Sequence, residues 1–203
     1  MSVVLAERAA SARSEASSTI AIVLLGTGVV GGALLKLLNT SAAGSLRLVG
    51  AANSRRQQTD PVSLAQRNLR EQLNQHGAPR DNASLLAALD GSAAAVKVII
   101  DATASTALAS RHAEWLARGY HVVTANKALA GGELSGWRAL QAALAGGGRY
   151  GDSATVGAGL PVLSTLRRLR SCGDGRLTLE GVFSGSLSWL FNQYDGSRPF
   201  SEL

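Results

Sequence analysis

The chain has 203 residues, 46% of them hydrophobic, and a formal net charge of +6, which suffices for one large domain or for one domain and part of a second. Its 17 arginines are spread along the sequence and aromatic residues make up only 4%, so the concentrated basic and aromatic patch of a nucleic-acid-binding protein is not expected. A single cysteine excludes an internal disulfide and a cysteine-based zinc site, and the three scattered histidines have no metal-binding spacing.

Residues 1–18 differ in composition from the rest of the chain. They are rich in Ala, Ser and Arg and lack the apolar core of a secretory signal. We interpret them as a flexible leader or linker; a transit peptide is the alternative, although Glu7 and Glu15 argue against it. No apolar run approaches the length of a transmembrane helix, so we expect a cytoplasmic protein that does not contact membranes.

From residue 19 to residue 150, apolar runs alternate with helical patterns. Five strands are predicted, in the segments TIAIVLL, LRLVGAANSRR, VKVIIDATAS, HVVTANK and RYGDSATVGAG. Helices are predicted between them: one after the first strand, two or three between residues 57 and 90 with a break at Pro61, and one each in TALASRHAEWLARGY and LSGWRALQAALAGG. This alternation predicts an α/β fold of the Rossmann type, a doubly wound parallel sheet.

Residues 151–203 follow a different pattern. A helix beginning at Pro161 precedes RLTLEGVFSG, whose alternation of apolar and polar residues predicts a strand. Apolar residues from Leu187 to Tyr194 then form the stripe of an amphipathic helix, and Pro199 opens the pattern of another helix. We interpret this part as the beginning of an α+β domain, with too few elements to close a core.

The first strand is followed directly by a glycine motif, Gly26-Thr27-Gly28-Val29-Val30-Gly31. In the G-x-G-x-x-G pattern the first glycine permits a tight turn, the second lets a pyrophosphate approach the backbone, and the third permits close packing of helix and strand. Its position between a buried strand and a helix favours dinucleotide binding over a purely structural turn.

The end of the second strand indicates which dinucleotide is preferred. An NAD site usually has Asp or Glu here, whereas this strand ends in Asn53-Ser54-Arg55-Arg56. Guanidinium groups can grip the additional phosphate, so NADP(H) is favoured over NAD(H). The alternative is that both arginines are simply solvated.

Two further loops are predicted at the ligand-binding edge of the sheet. The loop with Ser105 follows the third strand and is either a passage for the cofactor or a simple turn. The loop with Lys127 follows the fourth strand. Lys127 is one of only three lysines in an arginine-rich chain, and an ammonium can transfer a proton to a substrate oxygen where a guanidinium cannot; the alternative is a solvated loop lysine.

Four segments resemble homoserine dehydrogenases, particularly the dehydrogenase half of bifunctional aspartokinase–homoserine dehydrogenases: LLGTGVVGGALL, VVTANKALA, ATVGAGLPVLSTLRRL and LEGVFSGSLSWLFNQYDGSRPFSEL. The resemblance runs from about Thr19 to Leu203. It implies hydride exchange between NAD(P)(H) and the homoserine/aspartate 4-semialdehyde pair, in the biosynthesis of threonine, methionine and isoleucine. It also implies a homo-oligomer for the intact family.

The resemblance assigns roles to individual residues. It implies that the glycine motif cradles the cofactor, that Arg55 and Arg56 lie near the adenosine phosphate, and that Ser105 and Lys127 lie by the nicotinamide, with Lys127 also facing the substrate. Gly185 and Ser186 would border the substrate. A structural sodium ion would be held by three backbone carbonyl groups, although Ser153 stands where the family often has a glutamate; the three groups are those of Val156, Ala158 and Leu160.

In the family, the acidic segment and the second lysine that bind the amino acid lie beyond the position of Leu203. The resemblance therefore implies a truncated catalytic half and a severely reduced activity of this chain alone. Two alternatives stay open: an oxidoreductase acting on a related semialdehyde or hydroxy acid, and a non-catalytic nucleotide-binding module that pairs with another subunit.

Overall fold

The structure, a computed structural model, describes residues 19–40, 44–175, 178–182 and 184–203. It divides into two compact units, one ending at Gly151 and one from Asp152 to Leu203. The predicted leader, residues 1–18, lies outside the described residues. In the part of the chain that is described, no helix is both long and apolar enough to span a bilayer.

The first unit is built on a single sheet, which has seven strands among the described residues: β1 (Ile20–Leu25), β2 (Leu46–Ala52), β3 (Arg56–Gln58), β4 (Ala78–Pro79), β5 (Val96–Asp101), β6 (His121–Thr124) and β7 (Tyr150–Gly151). Their order is β4-β3-β2-β1-β5-β6-β7. The β1–β2, β1–β5, β5–β6 and β6–β7 pairs are parallel. The chain leaves β1 for β2 on one side and later enters β5 on the other, so the strand order reverses at β1 and β5, where ligands bind in doubly wound folds.

The helices of this unit cover both faces of the sheet. They are α1 (Val29–Leu38), α2 (Pro61–Leu64), α3 (Leu69–His76), α4 (Asn82–Asp90), α5 (Thr106–Ala109), α6 (His112–Ala117) and α7 (Leu134–Leu144). One face packs Val23 and Leu25 of β1 against residues of α4, α6 and α7. The other face packs Leu24 against Leu35 of α1 and residues of α2 and α3. A strand that is apolar throughout is the expected sequence for burial on both faces.

The predicted Rossmann-type sheet is confirmed, with two local differences. The short strands β3 and β4 were not predicted; they extend the sheet by antiparallel pairing beyond β2. The single helix predicted for TALASRHAEWLARGY is two short helices, α5 and α6, which are separated at Ser110 and Arg111. Side-chain caps explain several helix starts: Asp81 accepts hydrogen bonds from the Ala83 and Ser84 amides at the start of α4.

The second unit contains a 3₁₀ turn (Ser153–Thr155), α8 (Val162–Ser171), α9 (Gly185–Gln193) and a second 3₁₀ turn (Phe200–Glu202). Phe200 packs on the apolar stripe of α9, with its ring 5.7 Å from that of Phe191 and 5.4 Å from that of Tyr194. The strand predicted for RLTLEGVFSG is wrong for residues 178–182, which have no strand structure, and Gly185 belongs to α9. Three other positions of that segment, 176, 177 and 183, lie outside the described residues.

Candidate functional site

The glycine motif forms the turn between β1 and α1. Gly26 has φ +95°, a conformation that favours glycine, and its amide donates to the Ala52 carbonyl oxygen at 2.7 Å. A Cβ on Gly26 would lie only 2.7 Å from the Ala102 carbonyl oxygen, and one on Gly31 would overlap the Gly26 carbonyl oxygen. A Cβ on Gly28, in contrast, would meet no atom within 4 Å. The turn is therefore closed on its inner side and open at Gly28.

An open cavity of about 780 Å³ lies over this turn, inside the first unit. Glycine, small polar and arginine residues line it: Gly26, Thr27, Gly28, Asn53, Ser54, Arg55, Arg56, Arg70, Asn74, Ala102 and Thr103. Thr27 is buried, whereas Val29 and Val30 at the start of α1 are exposed. The free amide groups and the positive dipole end of α1 face the same region as the arginines, which makes the cavity suited to an anionic ligand.

Three guanidinium groups border the cavity, and they differ in how firmly they are held. Arg56 donates from Nη1 to the Gly77 carbonyl oxygen at 2.7 Å. Within the described residues, the guanidinium groups of Arg55 and Arg70 have no hydrogen-bond or ion-pair partner. Arg70 reaches the cavity from α3, where its Nη1 would lie 3.7 Å from a Cβ on Gly32. Two cationic side chains are therefore available to a ligand.

A buried carboxylate, Asp101, lies at the end of β5 beside the cavity. It is fully buried, and its Oδ1 accepts from the amide of Thr103 at 2.9 Å and from the hydroxyl of the same residue at 2.6 Å. Its Oδ2 lies 2.9 Å from Nε2 of the buried His112, whose Nδ1 lies 3.0 Å from the Tyr150 hydroxyl. A carboxylate can only accept hydrogen bonds, so His112 Nε2 carries the proton of its contact with Asp101. His112 Nδ1 can then accept a hydrogen bond from the Tyr150 hydroxyl.

The ionisation of Asp101 is set by this environment. Burial alone raises the pKa of Asp101, but hydrogen bonds from His112, Thr103 and Asn126 outweigh burial and hold the pKa below its ordinary value. Asp101 is therefore an anion at neutral pH, and it organises the donors around it.

The loop that contains Lys127 is held by its neighbours rather than by Lys127 itself. Asn126 donates from Nδ2 to Asp101 Oδ2 at 3.0 Å and to the Ser105 carbonyl oxygen at 2.9 Å. The Asn126 Oδ1 accepts from the amide of Ala128 at 3.0 Å. Lys127 is exposed, and no hydrogen-bond or ion-pair partner of its ammonium group occurs in the described part of the chain. The loops of Ser105 and Lys127 are thus brought together, with the ammonium group free.

The predicted sodium loop lies in the second unit, where Gly157 and Ala158 both have positive φ. The Leu160 carbonyl oxygen already accepts from the Val162 amide at 2.9 Å. The nearby carboxylate, Asp152, is paired with Arg167 through two contacts of 2.7 Å. Backbone carbonyl groups are thus available but no free carboxylate is, and within the described residues no group of three acidic, histidine or cysteine side chains could hold a metal ion.

The predicted substrate neighbours Gly185 and Ser186 are the first two residues of α9. Ser184 caps this helix, because its Oγ accepts from the Leu187 amide at 3.2 Å. Gly185 and Ser186 are exposed. Their contact with a substrate stays a prediction.

Comparison with known proteins gives the family of the chain. The sequence profile "Homoserine dehydrogenase, NAD binding domain" matches residues 26–150. The chain belongs to this family. The chloroplastic bifunctional aspartokinase/homoserine dehydrogenase 2 of Zea mays is 37% identical over 195 residues, which cover 92% of this chain and 21% of that protein. The chain therefore spans about a fifth of the length of the curated relatives it matches.

Solved structures agree with this assignment. A Candida auris protein of unknown function superposes with a TM-score of 0.74 at 26% identity, over 91% of this chain and 53% of that one. Homoserine dehydrogenase from Thermoplasma acidophilum superposes with a TM-score of 0.56 at 26% identity, over 73% of this chain and 47% of that one. Fold and family together support a nicotinamide nucleotide as the cofactor of this homoserine dehydrogenase family domain.

Several residues of the site have no place in the sequence-based prediction. Arg70 and Asn74 lie on α3, in a stretch identified only as helical, and no sequence pattern indicates that this helix borders the cavity. Asp101 and Asn126 stand beside predicted site residues, so the position of the two loops at one sheet edge could have indicated them. The sequence around His112 does not indicate that it belongs to the site, because its partner Tyr150 is 38 residues away in the sequence.

The Asp101 network predicts a pH-dependent stability. We expect Asp101→Asn to lower the free energy of unfolding by about 2–4 kcal/mol at neutral pH, because buried donors lose their charged acceptor. Since the pKa of Asp101 is lowered in the folded state, this stabilisation is complete above the ordinary value of about 3.9 and is lost as the pH falls through the folded-state value.

Urea unfolding of both proteins at about pH 5 and about pH 3 measures this difference. The difference in free energy of unfolding between wild type and Asp101→Asn should be smaller at the lower pH. An unchanged difference would contradict the charge-based explanation. Asp174→Asn is the control, because that carboxylate is exposed and, in the described structure, makes no side-chain hydrogen bond.

The glycine turn predicts two different effects of the same substitution. Gly31→Ala should lower the free energy of unfolding by about 1–3 kcal/mol, because the methyl group overlaps the Gly26 carbonyl oxygen. Gly28→Ala should change stability by less than about 1 kcal/mol. It should weaken nucleotide binding by about tenfold or more, because its methyl group takes the open space beside the α1 N-terminus. Thermal unfolding measures the effect on stability and nucleotide titration measures the effect on binding. Equal nucleotide affinity of Gly28→Ala and wild type would contradict the assignment of the cavity as the nucleotide site.

Proposed function

We propose that the chain supplies the cofactor-binding part of a homoserine dehydrogenase, with NADP(H) preferred over NAD(H). The observation that carries the proposal is the cavity over the glycine turn, which combines an open Gly28 with free guanidinium groups. The pyrophosphate lies over Gly26, Thr27 and Gly28 at the start of α1, where free backbone amides and the helix dipole favour an anion. Val29 and Val30 extend this surface along the first turn of the helix.

The preference for NADP(H) rests on the arginines. Arg55 follows β2, where an acidic residue would hold the ribose of NAD, and no acidic side chain lines the described cavity. Arg70 faces the same cavity from α3, so a phosphate between the two would receive charge-assisted hydrogen bonds from both sides. Arg56 is already bound to the Gly77 carbonyl oxygen and contributes its remaining donors and its charge.

The proposed reaction is the interconversion of homoserine and aspartate 4-semialdehyde. The bound nicotinamide supplies or accepts the hydride. Lys127 holds the aldehyde oxygen through its free ammonium group and donates the proton that completes the alcohol; in the reverse direction it accepts that proton. Ser105, whose backbone is tied to Asn126, borders the nicotinamide, and Gly185 and Ser186 remain the proposed substrate neighbours.

The remaining expectations stand as proposals. They are a cytoplasmic location, homo-oligomerisation, and residues 19–150 and 151–203 as the cofactor domain and the beginning of the catalytic domain. A sodium ion on the carbonyl groups of Val156, Ala158 and Leu160 is a further proposal; it would be held without the Asp152 carboxylate, which is already neutralised by Arg167.

Nucleotide selectivity can be tested with arginine variants. Arg55→Ala and Arg70→Ala should each weaken NADPH binding by about 10–100-fold, because one charge-assisted contact with the phosphate is lost. NADH affinity should change by less than about threefold, because NADH lacks that phosphate. Fluorescence titration with each nucleotide measures both values, and Arg138→Ala, on the exposed side of α7, is the control. Equal losses for NADPH and NADH would contradict the proposed phosphate site.

Turnover can be tested by mixing the chain with NADPH and aspartate 4-semialdehyde and following nicotinamide absorbance. If turnover occurs, Lys127→Ala and Lys127→Arg should both reduce it by about 10²–10⁴-fold, because the guanidinium keeps the charge but does not transfer the proton. Nucleotide binding without turnover would favour the alternative of a nucleotide-binding module. Full activity of Lys127→Arg would contradict the role of Lys127 as proton donor.

A further inference from the structure

We infer that Asn126 is a positioning residue, which sets the place of the Lys127 ammonium group relative to the bound nicotinamide. The inference rests on the proposed function, because it concerns the same cofactor and the same lysine. Its basis is the pattern of contacts around one buried amide, which is 2% exposed.

The Asn126 side chain joins two loops that come from different strands. Its Nδ2 reaches the end of β5 and the loop after it at three acceptors: Asp101 Oδ2 at 3.0 Å, the Ser105 carbonyl oxygen at 2.9 Å and, more distantly, Thr103 Oγ1 at 3.4 Å. A single planar amide that contacts a side chain and a main-chain group of the neighbouring loop fixes both the distance and the orientation of that loop.

The side-chain amide also fixes the backbone after Lys127, because Asn126 Oδ1 accepts from the Ala128 amide at 3.0 Å. The backbone before Lys127 is held separately: the main-chain N–H of Asn126 donates to Thr124 Oγ1 at 2.9 Å. Lys127 is therefore held between two anchored residues, although its own side chain is exposed and makes no hydrogen bond or ion pair within the described residues. A side chain that acts on a bound ligand needs a fixed backbone and a charged group that is not already paired. The Lys127 ammonium group meets both requirements.

The contacts of Asn126 cannot be replaced by apolar packing. An apolar residue of similar size could fill the space, but it would leave the Ala128 amide and the Ser105 carbonyl oxygen without this partner. Loss of the amide should thus let the Ser105 and Lys127 loops move independently. The glycine turn and the arginines make no hydrogen bond with Asn126 within the described residues, so they should keep the nucleotide bound.

The test measures the chemical reactivity of Lys127, and it does not depend on turnover. The full chain is treated with an amine-acylating reagent with and without NADPH, and labelling of each lysine is followed by mass spectrometry. Only three lysines are present, so Lys36 and Lys97 serve as internal references in every sample. At about ten times the dissociation constant, roughly one tenth of the protein is free of nucleotide. NADPH should therefore slow the labelling of Lys127 in the wild type by about tenfold, while the labelling of Lys36 and Lys97 stays unchanged.

Asn126→Ala should bind NADPH within about threefold of the wild-type affinity but lose most of this protection, to less than about twofold. Asn126→Asp should behave in the same way, because it keeps the acceptor for Ala128 but loses the donors and places a second carboxylate beside Asp101. Tyr150→Phe is the matched control: it removes a hydroxyl from the far side of His112 in the same buried network and should retain full protection.

The possible failures are distinguishable. If NADPH does not bind to the wild type, the proposed function fails and the inference fails with it. If NADPH binds but does not protect Lys127 in the wild type, or protects it equally in Asn126→Ala, the inference alone is wrong. Equal loss of protection in Asn126→Ala and Tyr150→Phe would show that Asn126 acts only through general stability, and would overturn the positioning role.

Discussion

The arrangement of the candidate site depends on one buried anion, the carboxylate of Asp101. An ionised carboxylate without solvent is tolerated only when donors surround it, and here the donors come from three parts of the chain: the loop after β5, the helix α6 and the loop after β6. Two of these segments also contribute apolar residues to the core, Trp115 and Leu116 from α6 and Leu129 from the loop after β6. Hydrophobic packing therefore holds the segments against the sheet, and the need to satisfy a single buried charge fixes how their polar groups meet.

The same constraint reaches the glycine turn. Asp101 ends β5, and the next residue, Ala102, donates its amide to the Leu25 carbonyl oxygen at 2.8 Å. The Ala102 carbonyl group closes the inner side of Gly26. A shift of the loop after β5 would thus alter both the glycine turn and the loop that carries Lys127. The glycine turn and the Lys127 loop are therefore connected through a few residues at the point where the strand order reverses.

Much of this architecture could be predicted from the sequence, because the decisive signals are local. The apolar β1 run, the glycines that follow it and the alternation of strands and helices are each contained within a few residues. The strands β3 and β4 could not be predicted in this way, since three and two residues are too few to show periodicity. The role of Arg70 depends on the packing of α3 beside the glycine turn, and the burial of His112 depends on partners from β5 and β7. Both are tertiary effects. The strand expected before α9 failed over residues 178–182, where a short alternating pattern was not supported by a neighbouring strand.

The fold determines which arginines of this basic chain lie near the candidate site. The overall count of 17 arginines indicates no particular ligand by itself, but three of them, Arg55, Arg56 and Arg70, border one cavity whose described lining has no carboxylate. Three arginines elsewhere are neutralised by ion pairs: Arg111 with Glu114, Arg118 with Asp90, and Arg167 with Asp152. Charge that is neutralised by an ion pair contributes little attraction for an external anion, whereas unpaired charge beside a helix N-terminus contributes strongly. The suitability of the cavity for an anion therefore depends on which arginines are unpaired and lie beside the N-terminus of α1, and a count of charges along the sequence does not contain that information.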